Sequence, residues 1–369
     1  MTVLRLLKPF GVLLLSLCLG AAHADKLDDN LQTVWESLWD QRGSPRSVLR
    51  WNKPIHYRIH GPDASRHQDH IRSALQAVAE IAHIQIIDVS AQADAETTVA
   101  LDLEVVKDTD LRDNEPCVTY HRKLNGGALE KVSVKMRSRD TWRCTFHEMM
   151  HVMGIIGHPS GKTVLSYFPY RRDALMDLDQ LMLAAWYSPA MPENATPLEA
   201  LVVLSDAVAR QSDLGVPAGD ASLRSGAFNQ RMLQQMESLA AGQGEIPAII
   251  LRSGKASQLF IRNAQPVAAF FVGMAYFRGV ITHQDSVTAA LWFKRGAEKG
   301  NLPAQFAWGA ALMEGIGVEA DHLAGIAWLT LAAKTGIPFI VNFLALVEKK
   351  LNPEELEKAR AQPAPQVDL

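Results

Sequence analysis

Three of the chain's 12 histidines fall in one short run, HEMMHVMGIIGH, from His147 to His158. Histidines four positions apart on a helix project from one face, so His147 and His151 can offer two imidazole nitrogens to one metal ion. Glu148 sits on the adjoining flank, where a carboxylate can act as a general base toward a metal-activated water. Zinc in a catalytic site takes at least one more protein ligand and keeps a position open. The competing reading is a helix with two structural histidines. That helix would be strongly apolar through Met149, Met150, Val152, Met153 and Ile155, and two histidines and a glutamate buried in it without a metal would need other polar partners. The three methionines themselves read as core that fills gaps beneath the site.

The elements that must position these residues alternate from Ser47 to about Ile155. Ser47–His60, Ile84–Val89, Thr97–Val106 and Lys131–Met136 read as strands, rich in β-formers. Apolar positions at helical spacing through Ile71, Leu75, Val78 and Ile81 predict a helix over Arg66–His83. A second helix is expected over Asp140–Gly154, stopped by a glycine suited to the left-handed conformation. This order predicts an α+β layer with one sheet. Thr196-Pro197-Leu198-Glu199 is a capping box that should open a helix running to about Arg210. Gln211–Gly226 reads as an interdomain linker within a connector that runs to residue 262.

Beyond it the sequence repeats at a spacing of 36 residues. Ala268, Gly273, Ala275, Gly279, Asp285, Trp292, Ala297 and Gly300 recur as Ala304, Gly309, Ala311, Gly315, Asp321, Trp328, Ala333 and Gly336. Each unit reads as helix, glycine turn, helix, and such units bury their apolar faces only by stacking. These residues resemble the Sel-one-like repeats, relatives of the tetratricopeptide repeats, over 264–336. The resemblance implies an α-solenoid from about residue 263 to 369 and a role in protein contacts, or simple docking on the preceding domain. Asn352-Pro353-Glu354-Glu355 should start a last helix that caps the stack.

The stretch around His147 resembles the metzincins, zinc peptidases with HExxHxxGxxH followed by a Met-turn. The resemblance implies a metzincin-like zincin domain over about 45–210, in which the helix stops at Gly154 and the chain bends to bring a third ligand beneath the metal. The position that the family uses is Gly157 here, and the histidine comes one residue later, so His158 is the expected third ligand, ahead of His121 and Asp173. Thr163-Val164-Leu165-Ser166-Tyr167 stands in the place of the Met-turn, with leucine for methionine. By the same match Tyr167 is a candidate to stabilise the developing oxyanion, beside the plainer role of a packed turn residue. Arg50-Trp51, Cys144, Asp177-Leu178-Asp179 and Leu181–Tyr187 also look like parts of an exported bacterial family, many of whose members have lost the metal-binding histidines. This chain keeps the full HExxH. Arg171 and Arg172, just behind the turn, could attract a substrate carboxylate, although a solvated charged loop is the simpler reading.

The chain of 369 residues is long enough for two domains, and its formal charge of -3 argues against a nucleic-acid partner. Arg5 and Lys8, the apolar run Phe10–Leu19 and Ala22-His23-Ala24 read as a signal peptide cut after Ala24, with 25–44 an N-terminal segment. Lipidation at Cys18 is disfavoured by the bulky Leu17 before it. A periplasmic or secreted protein with no transmembrane segment is expected. In that oxidising compartment Cys117 and Cys144 should form a disulfide, in preference to Cys144 acting as a metal ligand. Together these features predict an exported zinc-dependent metallopeptidase acting on a peptide or protein substrate. The alternative is an inactive zincin-fold scaffold whose repeats bind an envelope protein.

Overall fold

The computed structural model describes residues 26–92, 98–112, 115–166, 173–211 and 216–368. The proposed signal peptide, Tyr167, Arg171 and Arg172 lie outside them. The chain divides into two compact units, each built around its own core.

The first unit comprises residues up to Leu38, Val48–Asn194 and Ala200–Phe228. Its framework is a five-stranded sheet of β1 (Ile55–His60), β2 (Ile86–Asp88), β3 (Leu101–Val106), β4 (Cys117–Asn125) and β5 (Ala128–Arg137), in the order β2-β1-β3-β5-β4. All pairings are parallel except β4 with β5, which form an antiparallel pair. Alternation sorts the two faces. Ile55, Tyr57 and Ile59 of β1, Leu101, Leu103 and Val105 of β3, and Val132, Val134 and Met136 of β5 are buried, whereas the opposite face carries ion pairs such as Arg58–Asp102 and Lys135–Glu104.

The buried face is covered by helices. α1 spans residues 26–37 and α2 spans Ala64–Ala82. α3 (Thr141–Val152) carries the first two histidines, and α4 is Asp177–Trp186. α2 packs on β1 and β3, α3 packs on β4 and β5, and the two helices touch each other. α1 was not anticipated from the sequence, where 25–44 stood as an undefined segment. Its buried residues Leu27, Leu31 and Val34, with Leu38 just past its end, fall at helical spacing and tie it into the core. β4 was also missed, and the long expected strand Ser47–His60 is reduced to Ile55–His60, with Arg50 making only an isolated bridge to Ala128 ahead of it.

The second unit comprises Asn229–Leu369 together with two upstream pieces, Trp39–Ser47 and Ala195–Glu199. The capping box is present, with Glu199 N donating to the Thr196 hydroxyl oxygen and Thr196 N donating to the Glu199 carboxylate, and α5 spans Pro197–Ala209. α6 (Ala218–Ala241) occupies much of the segment expected to be linker and connector. The small and polar residues that suggested a loop there lie on helix faces that are largely exposed.

Four helices form the repeats: α7 (Ser257–Arg278), α8 (Ser286–Glu298), α9 (Leu302–Glu314) and α10 (His322–Ala333). Gly279 and Gly315 close α7 and α9 at φ +70° and +66°, and Asp285 and Asp321 cap the helices that follow. The 36-residue period is visible in the packing. A Cβ on Gly273 would come within 2.6 Å of the Phe293 ring, and one on Gly309 within 2.9 Å of Leu329 Cγ, the matching contact one repeat later. Trp328 is buried in the stack, while Trp292 is only half-buried. α11 (Pro338–Glu348) and α12 (Pro353–Arg360), with its Asn352 and Glu355 capping box, complete this unit. No helix among the described residues is long and apolar enough to cross a membrane.

Candidate metal centre

His147, His151 and His158 converge. Their Nε2 atoms are 3.1 Å apart between His147 and His151 and 3.2 Å apart in each of the two pairs with His158. Tetrahedral zinc with bonds of about 2.0–2.1 Å to nitrogen requires edges of roughly 3.3–3.4 Å, so the triangle has the size of one face of such a site.

The hydrogen bonds behind the rings decide what that triangle can hold. His147 Nδ1 donates to the Val164 carbonyl at 2.8 Å, and His151 Nδ1 donates to the Ile155 carbonyl at 2.7 Å. A carbonyl can only accept, so each Nδ1 carries a proton, and Nε2 is the nitrogen left to face the triangle. At 3.1 Å the two Nε2 atoms are close enough to ligate one cation together. Three convergent histidines, two of them with outer nitrogens committed to carbonyls, are a donor set that zinc accepts, and the residues fit that ion.

Each of the three histidines is placed by identifiable parts. The pair on α3 is set by helical spacing. At its end, Gly154 turns the chain at φ +94°, and a Cβ there would overlap the Leu49 carbonyl oxygen. Trp51 Nε1 donates to the Val152 carbonyl at 2.8 Å, and the Tyr187 hydroxyl donates to the Met153 carbonyl at 3.0 Å. These bonds satisfy the last carbonyls of the helix. The loop from Ile155 then brings His158 back to its partners. Gly157 cannot be the ligand, and it has a different task. A Cβ there would overlap the backbone oxygens of Glu36 and Ser37, so the glycine lets α1 approach.

The turn at 163–166, expected to replace a Met-turn, lies beneath His147. Thr163, Val164, Leu165 and Ser166 are all buried. Asp179 holds the turn by accepting from Val164 N, from Met176 N at 2.9 Å and from the Thr163 hydroxyl. Burial pushes the Asp179 pKa up, against the hydrogen bonds from Thr163, Met176 and Val164 that pull it down. This support was legible only as part of a family-like stretch.

β4 lies along α3, and three alternate residues of the strand meet three positions of the helix. Cys117 is disulfide-bonded to Cys144. Thr119 Oγ1 donates to Glu148 Oε2 at 2.7 Å, and His121 Nε2 meets the His151 carbonyl at 2.9 Å. The match is one of periods, since alternate strand residues advance about as far as one helical turn. Two of the weighed ligands are thereby corrected. Cys144 is bridged to Cys117, and His121 spends a ring nitrogen on the backbone of α3. Burial lowers the His121 pKa, opposed by that backbone bond. Asp173 is exposed and stands outside the histidine group. Glu148 is 1 % exposed, with Oε1 3.9 Å from His147 Nε2 at the margin of the triangle. Thr119 was missed because β4 was; the alternation in Cys117-Val118-Thr119-Tyr120 was the available signal.

Comparison with known proteins bears on the second unit. The Sel1 repeat matches residues 266–301 and 302–336, on α7 to α10, and such repeats suggest protein–protein interaction. The chain is similar to the crystal structure of a protective antigen of uropathogenic Escherichia coli strains displaying an SLR fold. There the identity is 19%, the coverage 59% of this chain and 51% of that one, and the TM-score 0.26. It is also similar to a Sel1 repeat protein from Oxalobacter formigenes, at 22% identity, 46% and 55% coverage and a TM-score of 0.23. The matches span about half the length of each of these chains. No curated protein matches the chain.

Proposed function

We propose that the first unit is a metzincin-like, zinc-dependent metallopeptidase of an exported protein, and that the repeats engage a protein partner. The observation that carries this reading is the meeting of three imidazole Nε2 atoms within 3.2 Å of one another, with the outer nitrogens of His147 and His151 committed to carbonyls. A zinc ion held by His147, His151 and His158 would supply Lewis acidity, polarising a scissile carbonyl and making water a nucleophile near neutral pH. Glu148 takes the proton of the attacking water as its oxygen bonds to the carbonyl carbon. The same carboxyl then delivers that proton to the amine as the C–N bond breaks. Thr119 fixes one Glu148 oxygen by its hydrogen bond. β4 is an outer strand of the sheet, which suits an extended peptide laid beside α3. A disulfide joining β4 to α3 accords with a periplasmic or secreted location.

The test is metal content followed by turnover. Purified protein should carry one zinc, and His147→Ala with His151→Ala should abolish it. Glu148→Gln should keep the metal and lose cleavage of a quenched peptide library by a factor of at least about 100. Undiminished cleavage in that variant removes Glu148 from the mechanism. A folded wild-type protein without stoichiometric zinc favours the second reading, a catalytically inactive zincin-fold scaffold whose repeats bind an envelope protein; the Sel1 repeat match supports only the protein-contact part of it.

A further inference from the structure

The three ligands are not held alike. His147 and His151 belong to a helix with its own hydrogen-bond ladder, whereas His158 sits in a loop between Gly157 and Pro159, so its place depends on what the loop rests against. One support is the buried turn, where the Ser166 hydroxyl donates to the Pro159 carbonyl at 2.9 Å. The other is α1. Glu36, 3 % exposed, accepts through Oε2 from Ser160 N at 2.7 Å and from Ser160 Oγ at 2.9 Å. Its Oε1 receives Gln32 Nε2 at 3.1 Å, which orients the carboxylate along its own helix. Gly157 N donates to the Ser37 carbonyl at 3.2 Å. Two glycines make the approach possible, since a Cβ on Gly157 would overlap the backbone of Glu36 and Ser37, and one on Gly161 would overlap Thr33. A buried carboxylate bonded to the backbone two residues beyond a ligand is a specific anchor, well placed to fix where that ligand stands.

We infer that α1 is a built-in clamp of the metal centre and that Glu36 is a positioning residue for the third ligand, His158. This rests on the zinc reading above. Without the anchor the loop must be ordered by the metal itself, so affinity falls while the pair on α3 remains in place.

The experiment is zinc affinity by chelator competition on the full chain, in a double-mutant cycle of Glu36→Ala with His158→Ala. Glu36→Ala should weaken zinc binding by about 10–100-fold, the usual cost of losing an outer-shell partner. Glu36→Gln, which keeps an acceptor for the Ser160 amide, should recover most of that loss. In the His158→Ala background Glu36→Ala should change the affinity no further, because the ligand it positions is gone. Unchanged affinity in Glu36→Ala, or an equal loss in both backgrounds, overturns the inference while wild-type zinc binding leaves the peptidase reading standing. Wild-type protein that takes up no zinc overturns both. Should Glu36→Ala fail to fold, Ser160→Ala removes only one of the two bonds; a several-fold loss of affinity supports the clamp, and full affinity overturns it.

Discussion

At the scale of single residues, the candidate site depends as much on what stands behind the three histidines as on the histidines themselves. His147 and His151 were legible from a four-residue spacing because helical geometry is local. Asp179 was not legible as their support, because it acts through the Thr163–Leu165 turn and through hydrogen bonds no spacing rule encodes. Its carboxylate faces three donors, and asparagine offers one acceptor oxygen and an amide that meets an N–H. Asp179→Asn should therefore destabilise the first unit by about 1–3 kcal/mol in urea unfolding. The pH dependence has a definite sign. Burial holds the folded-state pKa above the ordinary aspartate value of 3.8, so this group's contribution is fully present below that value and is lost as pH rises through the folded one. The cost of the substitution should be larger at about pH 4.5 than at about pH 7.5. An opposite trend would mean that the hydrogen bonds outweigh desolvation.

At the scale of elements, the sequence located the two major helices of the first unit and most strands within a few residues. The helix expected over Arg66–His83 is Ala64–Ala82, and that over Asp140–Gly154 is Thr141–Val152. β4 escaped because His121 and Arg122 interrupt its apolar pattern, although the strand faces α3 on one side only. α1 escaped for a different reason: the partners of Glu36 lie 124 residues away, so its polar positions had no visible purpose. The predicted link between Cys117 and Cys144 is present and closes a separation of 27 residues. Reducing it should lower unfolding free energy by about 3–4 kcal/mol on the chain-entropy argument, measured by urea titration with and without a thiol reductant. A shift near zero would mean that packing alone holds β4 against α3.

At the scale of the whole molecule, the proposed chemistry and the proposed recognition fall to different units. The repeats were the most legible feature of the second unit because periodicity is a global signal, carried by Gly273 and Gly309 as well as by Asp285 and Asp321. Gly309→Val should crowd Leu329 and the Gly325 carbonyl and lower the melting temperature. Zinc affinity by chelator competition should be unaltered. A parallel fall in metal binding would show that the units do not act independently.

The second unit takes Trp39–Ser47 and Ala195–Glu199 from upstream, and both pieces are structurally committed. Gly43 lies against Ile250, and Glu199 accepts a bond from Arg278. The polypeptide is therefore braided, crossing between its two halves more than once before the repeats begin. No single cut yields both halves intact: a fragment starting at residue 229 would leave Arg278 without its carboxylate partner and Ile250 without its cover. To keep these contacts, an excised repeat array would have to carry Trp39–Ser47 and Ala195–Glu199 with it.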